Sequence, residues 1–254
     1  MTDAVLTERH DDVLVVTINR PLAKNALNLD AARGIADAVD ELDASDELRV
    51  AVLTGAGGTF CAGMDLKAFL TGESPDIEGR GLAGITVTPP RKPLIAAVEG
   101  WALAGGFELL LACDLVVASD TAKFGVPEVS RSLVAAAGGA LLLPRRIPYA
   151  IAVEMLLTGD PITAARAAEV GLVNRVVGEG QALESALELA ARIAANGPLA
   201  VAATKRLARA AADWTLGECW ERQEEIIAPV FTSDDAREGA TAFAEKRRPV
   251  WTGH

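Results

Sequence analysis

Chemistry in this 254-residue chain has few places to come from, and two of them are glutamates beside apolar runs. Glu108 stands in the first turn of an otherwise apolar predicted helix, Phe107 to Ala112. Glu128 follows Pro127 in Phe124-Gly-Val-Pro-Glu128. A carboxylate at such a place can simply complement a helix dipole. In an apolar pocket it does more, because burial raises its pKa and lets it transfer protons near neutrality. Two carboxyls with separated pKa values would give an acid and a base.

Two glycine-rich turns are the second resource. Phe60-Cys-Ala-Gly-Met-Asp-Leu66 follows one apolar strand, and Leu103-Ala-Gly-Gly-Phe-Glu108 follows another. A strand-to-turn-to-helix junction exposes free backbone N–H groups, and a helix N-terminus favours negative charge. Side by side, the turns could form an oxyanion hole, where one donor is worth about 2.7–4 kcal/mol. The plain alternative is tight-turn chemistry, with glycine supplying positive φ.

What is missing narrows the rest. The only histidines, His10 and His254, lie near the termini, so neither a histidine triad nor a multi-histidine metal site is expected. There is no GxxxxGK[ST], GxSxG or HExxH, and Gly55-Ala-Gly57-Gly-Thr-Phe60 has Phe60 where a dinucleotide fingerprint needs its third glycine. Cys61, Cys113 and Cys219 are scattered and odd in number, which predicts a reduced compartment. With 24 basic and 35 acidic residues the net charge is −11, unsuited to nucleic acid. An anionic ligand must then be held by local cations and amides. A chain 50% hydrophobic and 23% charged is not disordered. Its acidic start has no apolar run, and no stretch reaches 18 apolar residues. The expectation is a cytoplasmic protein without a signal peptide, transit peptide or membrane span.

The elements that must position these groups read as α/β. Strands are predicted at Val13–Ile18, Val50–Thr54, Leu94–Val98 and Leu115–Ala118, apolar on both faces and alternating with helices. Ala32, Ile35, Ala36, Val39 and Leu42 share one helical face. The polar, glycine-rich span 71–91 reads as a mobile loop stiffened at its end by Pro89, Pro90 and Pro93. Beyond about 145 the pattern is helical at 149–158, 163–170, 181–195, 198–212, 214–228 and 234–246, with one short strand, Val173–Val177. Residues 1–195 form the expected core, and 196–254 a C-terminal helical region of the same unit. Trp214, Trp220, Phe231, Phe243 and Trp251 gather there, fitting a helical cap or an oligomerisation region.

These residues, in this order and spacing, resemble the enoyl-CoA hydratase/isomerase, or crotonase, superfamily. The similarity runs nearly end to end. It passes from Asn19-Arg-Pro through the two glycine turns, Pro93-Leu-Ile-Ala-Ala-Val-Glu-Gly, Cys113-Asp-Leu, Phe124-Gly-Val-Pro-Glu and Leu157-Thr-Gly-Asp to Ala242-Phe-Ala-Glu-Lys-Arg. The resemblance implies a spiral of ββα units with a C-terminal helical trimerisation region, assembled as a trimer or a hexamer of two trimers. It implies an acyl-CoA thioester ligand, with coenzyme A as part of the substrate and no metal or redox cofactor. The amides of Ala62 and Gly105 would form the oxyanion hole, and Glu108 and Glu128 would be the catalytic pair. Coenzyme A contacts would come from the loop Arg20 to Ala26, including Lys24, and from Asp65, Leu66 and Lys67. Phe243 and Lys246 would reach in from a neighbouring subunit. For Lys24 and Lys67, two of only six lysines, a solvated surface role is the alternative.

The implied activity is hydration of a 2-enoyl-CoA. A Δ3-Δ2 enoyl-CoA isomerase is the alternative, since that reaction needs one base. A non-catalytic acyl-CoA-binding or RNA-binding protein is disfavoured by the intact glutamates and the negative charge. Two departures bear on the acyl group: Ser132-Leu-Val-Ala-Ala-Ala-Gly-Gly139 lacks a proline common in hydratases, and Phe107 fills an often small position. Both are expected to face the acyl pocket. Asp234-Asp-Ala-Arg-Glu-Gly and Phe243-Ala-Glu-Lys-Arg-Arg-Pro-Val-Trp251 are more similar to crotonobetainyl-CoA (carnitinyl-CoA) hydratases.

Overall fold

The structure is a computed structural model that describes residues 3–254. In chain order the first elements are β1 (Val5–His10), β2 (Val13–Ile18), α1 (Leu29–Ala44), β3 (Val50–Gly55), α2 (Leu66–Leu70), β4 (Asp76–Ile77), β5 (Gly81–Leu82), β6 (Leu94–Val98), β7 (Trp101–Leu103) and α3 (Gly105–Ala112). Then come β8 (Leu115–Ser119), β9 (Lys123–Gly125), α4 (Gly139–Arg146), α5 (Tyr149–Thr158), β10 (Ile162–Thr163), α6 (Ala164–Glu169) and β11 (Arg175–Val177). Four helices finish the chain: α7 (Ala182–Ala194), α8 (Pro198–Ala210), α9 (Leu216–Phe231) and α10 (Asp234–Glu245).

Six strands form the large sheet in the order β1-β2-β3-β6-β8-β11. Only β1 runs antiparallel, folded onto β2 as a hairpin; the others are parallel. Strand alternation divides the core in two. Leu14, Val16, Ile18, Ala51, Leu53, Leu94, Ala96 and Val98 face the larger cluster, which holds the apolar stripe of α1. Val13, Val50, Val52, Ile95, Ala97 and Val117 face the other way and pack on α7. There Ala182, Ala186, Ala190 and Ala194 recur every fourth residue, a flat seam that lets the helix lie close to the sheet.

The site-forming layer is a smaller sheet, β10-β9-β7. Two strands of the large sheet pass into strands of the small one and then into helical structure: β6 to β7 to α3, and β8 to β9 to the turn of helix at Pro127–Arg131. This is the ββα repeat that the sequence resemblance implies. Isolated bridges Cys61↔Ala102 and Leu27↔Met64 extend the layer through the first glycine turn.

Two expectations need correction. Val5–His10, read only as an acidic terminus, is a strand: as an edge it exposes most of its side chains, so it carries no apolar run. The span 71–91 is an ordered part of the fold. Asp76↔Leu82 and Ile77↔Gly81 pair as a hairpin, and Leu82, Ala83 and Ile85 are buried. Arg80 ties the span to α1 through Asp40 at 2.8 Å. Its apolar residues are too few and too irregularly spaced to give a period, and tertiary contacts hold it. No described helix is long and apolar enough to cross a membrane.

Candidate active site

The first glycine turn is fixed by its neighbours on both sides. Phe60 and Cys61 donate to the carbonyls of Glu99 and Trp101 at 2.8 and 2.9 Å. On the other side the Ala62 N–H donates to the Lys24 carbonyl at 3.0 Å, the Leu27 N–H to Gly63 at 2.8 Å and the Asp65 N–H to Leu27 at 2.8 Å. Buried Asn25 holds the Lys24 loop in place. Its Oδ1 accepts from the Arg20 N–H at 2.9 Å, and its Nδ2 donates to the carbonyls of Ala56 (2.8 Å) and Thr59 (2.6 Å).

This pairing corrects one expected donor. The Ala62 amide is taken up by Lys24 and is not free for a ligand. Among the N–H groups left without a backbone acceptor at these two turns are those of Met64 and Gly105. They lie together: a Cβ on Gly105 would sit 3.6 Å from the Met64 nitrogen. Gly63, at φ 101°, makes this approach possible, since a Cβ there would meet Ala104 Cβ at 2.8 Å. Ala104 precedes α3 with φ 50° and ψ −128°, a conformation that costs a non-glycine residue about 1–3 kcal/mol. Its own N–H donates to the Gly125 carbonyl at 3.0 Å, which holds the bend. The bend leaves Gly105 as the first helical residue, where an N–H is free and the helix end is electropositive.

Arg20 and Asp65 brace the turn from outside. They pair at 2.9 Å, and Arg20 also donates to the Ala26 carbonyl. Burial pushes the Asp65 carboxyl up, but the bonds from Arg20 and from the Ala68 and Lys67 amides outweigh it and hold the group below its usual value. Asp65 thereby caps α2. Lys24 and Lys67 are exposed on either side of this brace and form no ion pair among the described residues.

One turn into α3, Glu108 is buried at 4% exposure, with Oε1 accepting from the Gly139 N–H at 2.9 Å. Burial pushes its pKa up to about 7. The Gly139 and Ala137 amides pull it down, while the charges of Glu128 and Asp76 add to the rise. Glu128 follows Pro127 in its helical turn, and its Oε2 is buried without a hydrogen-bond partner. Burial raises its pKa too, against its own amide and the Arg131 charge.

Both glutamates, both free amides, Ala62 and Leu66 line one cavity of about 390 Å³. Its walls are mostly apolar: Phe69, Pro75, Leu82, Leu133, Val134 and neighbours. Val134 is therefore where the sequence places it, but Phe107 is not. It is fully buried in the core, because one residue along a helix from Glu108 is a rotation of about 100° away from the cavity. Phe243 and Lys246 lie at the end of α10 and do not line the cavity of their own chain. Met64, Asp76, Arg131 and Gly139 are site residues that sequence reasoning missed. Of these, only Met64 carried a signal, as a member of the first glycine turn.

Gly139 is packed against the glutamate it serves. A Cβ there would sit 2.8 Å from Ala135 Cβ and 3.1 Å from Glu108 Oε1. Gly139→Ala is expected to lower turnover by roughly 10- to 100-fold while the fold persists, the scale of an ångström of misplacement. Turnover with unchanged circular dichroism checks it; full activity would show that the contact does not aim Glu108.

Residues 8–254 match the enoyl-CoA hydratase/isomerase family. The chain is 48% identical to enoyl-CoA hydratase EchA19 of Mycobacterium tuberculosis, over 96% of this chain and 94% of that one. It is 41% identical to a carnitinyl-CoA dehydratase of Proteus mirabilis over 100% of both. A crystal structure of an enoyl-CoA hydratase from M. tuberculosis H37Rv matches with a TM-score of 0.98 and 59% identity over 100% of both chains. With one family matched along nearly its whole length, and the same fold in a solved member, the chain belongs to the enoyl-CoA hydratase/isomerase family.

Proposed function

We propose that the chain adds water across the double bond of a 2-enoyl-CoA. The observation that carries this reading is one cavity lined by two glutamates whose pKa values burial raises, together with Met64 and Gly105, whose amides have no backbone acceptor. Conjugate addition puts negative charge on the thioester oxygen. The Met64 and Gly105 amides stabilise that charge, and being fixed by the backbone they need no reorganisation. Glu108 takes a proton as the water oxygen bonds to C3, and Glu128 gives its proton to C2. Proton return from Glu108 to Glu128 resets the site. Lys24 and Lys67 are the local cations for the coenzyme A phosphates in a chain of net charge −11. Arg20, Ala26 and Asp65 support that binding edge. Phe243, 88% exposed, and Lys246 fit a contact to a neighbouring protomer in a trimer.

A carnitinyl-CoA substrate is a second reading of the same chemistry, with a different acyl end. It is favoured by the 41% identity to carnitinyl-CoA dehydratase over both full chains. The isomerase reading fits less well, because a single proton shuttle leaves one of two buried carboxyls without work.

The pH profile tests the reading. Glu108 works ionised, and its pKa stands near 7. kcat/KM is therefore expected to rise with pH up to about 7 and to be roughly a hundredfold lower two pH units below it. A rate that is flat from pH 5 to 7 would contradict a buried carboxylate base. In the same preparation, a 3-enoyl-CoA is expected to be conjugated far more slowly than a 2-enoyl-CoA is hydrated; the reverse order would establish the isomerase.

A further inference from the structure

Three carboxylates line the cavity: Asp76 joins Glu108 and Glu128, and Arg131 is the one cation among the described lining residues. Asp76 is set by the β4–β5 hairpin, directly across from Leu82. Leu82 in turn covers the oxyanion side, since its Cδ2 would stand 3.0 Å from a Cβ on Gly105. The backbone thus holds Asp76 at the wall of the pocket. Its Oδ2 accepts from the Ser74 hydroxyl at 3.0 Å, and it pairs with no lysine or arginine among the described residues. Arg131 offers little compensation. Its Nη1 turns back to the Pro127 carbonyl (3.5 Å) and the Ser130 hydroxyl (3.3 Å) of its own turn, and its charge bears on Glu128. Asp76 is exposed, and Phe69, half exposed, lines the same cavity.

We propose that Asp76 is the charge selector of the acyl pocket, admitting thioesters whose acyl chain ends in a cationic or neutral group and excluding those that end in a carboxylate. A cationic end meets a carboxylate that no lysine or arginine among the described residues neutralises, which attracts it. An anionic end meets the same carboxylate in a space already lined by Glu108 and Glu128. That the ligand is an acyl-CoA rests on the hydratase reading above.

The test measures binding separately from turnover. Saturated acyl-CoA thioesters of equal length, ending in methyl, trimethylammonium or carboxylate, are titrated by calorimetry into the wild type, Asp76→Asn and Asp76→Lys. The matching 2-enoyl-CoAs are assayed for hydration. Relative to the methyl end, the wild type is expected to prefer the cationic over the anionic end by about five- to tenfold, the size of one partly screened charge pair. Asp76→Asn collapses that ratio to within twofold, and Asp76→Lys inverts it. A ratio unmoved by both substitutions overturns the proposal, as does a wild type that prefers the carboxylate end. A wild type that shows the ratio but hydrates none of the three enoyl thioesters supports the selector and sinks the hydratase reading.

Discussion

Glu108→Gln is expected to lose about 10³- to 10⁴-fold in hydration rate and, above pH 7, to melt at a higher temperature than the wild type. The first effect follows from removing the proposed base, since a positioned base contributes roughly 10²–10⁴ in general acid–base catalysis. The amide keeps the shape and can still accept from the Gly139 N–H, so the loss belongs to proton transfer. The second effect follows from linkage. The carboxyl titrates near 4.5 unfolded and about 7 folded, so the native state binds its proton more tightly. Its contribution to stability is full below pH 4.5 and is lost as pH rises through 7. By pH 8 the buried charge costs on the order of 3 kcal/mol, an upper figure for a group beside a solvent-open cavity. Gln carries no such cost, so the melting difference is several degrees at pH 8 and vanishes near pH 4. Melting curves at the two pH values check it. Equal melting temperatures at both would mean that Glu108 is solvated and its carboxylate carries no burial cost.

Glu128→Gln is expected to cost on the order of 10³ in kcat while binding of a saturated acyl-CoA stays within about threefold. On the proposed mechanism Glu128 gives its proton to C2, and an amide cannot give one at this pH; its Oε2 is buried with no hydrogen-bond partner. The two glutamates act on one transition state, so the double variant should lose little more than the worse single one. Losses that multiply would mean that the carboxyls serve separate steps.

The parts of this site that were legible from sequence are those whose chemistry is local. A glutamate in the first turn of an apolar helix is costly to bury, and Glu108 and Glu128 both stand in the cavity. The C-terminal helices follow their periodicity, with α5 at 149–158 as expected and α7 and α10 within a residue or so. Which amide of the first glycine turn is free was not legible. It depends on strand pairing with residues 24–27, more than 30 positions away, which takes the Ala62 N–H and leaves that of Met64. Helix α4 was hidden by its own composition, since it opens on Gly138-Gly139 and carries Pro144 inside. Yet its first turn supplies the amide that holds Glu108. The hairpin at 76–82 was hidden by its polarity, and it brings Asp76 and Leu82 to the cavity.

The most direct measurement is the mass of the product formed from a 2-enoyl-CoA in water enriched in both oxygen-18 and deuterium. Addition of water predicts one oxygen-18 at C3 and one deuterium at C2, with both labels lost from the product of either Glu→Gln variant at equal times. A thioester that takes up deuterium without oxygen-18 would contradict hydration and identify a proton shuttle in its place.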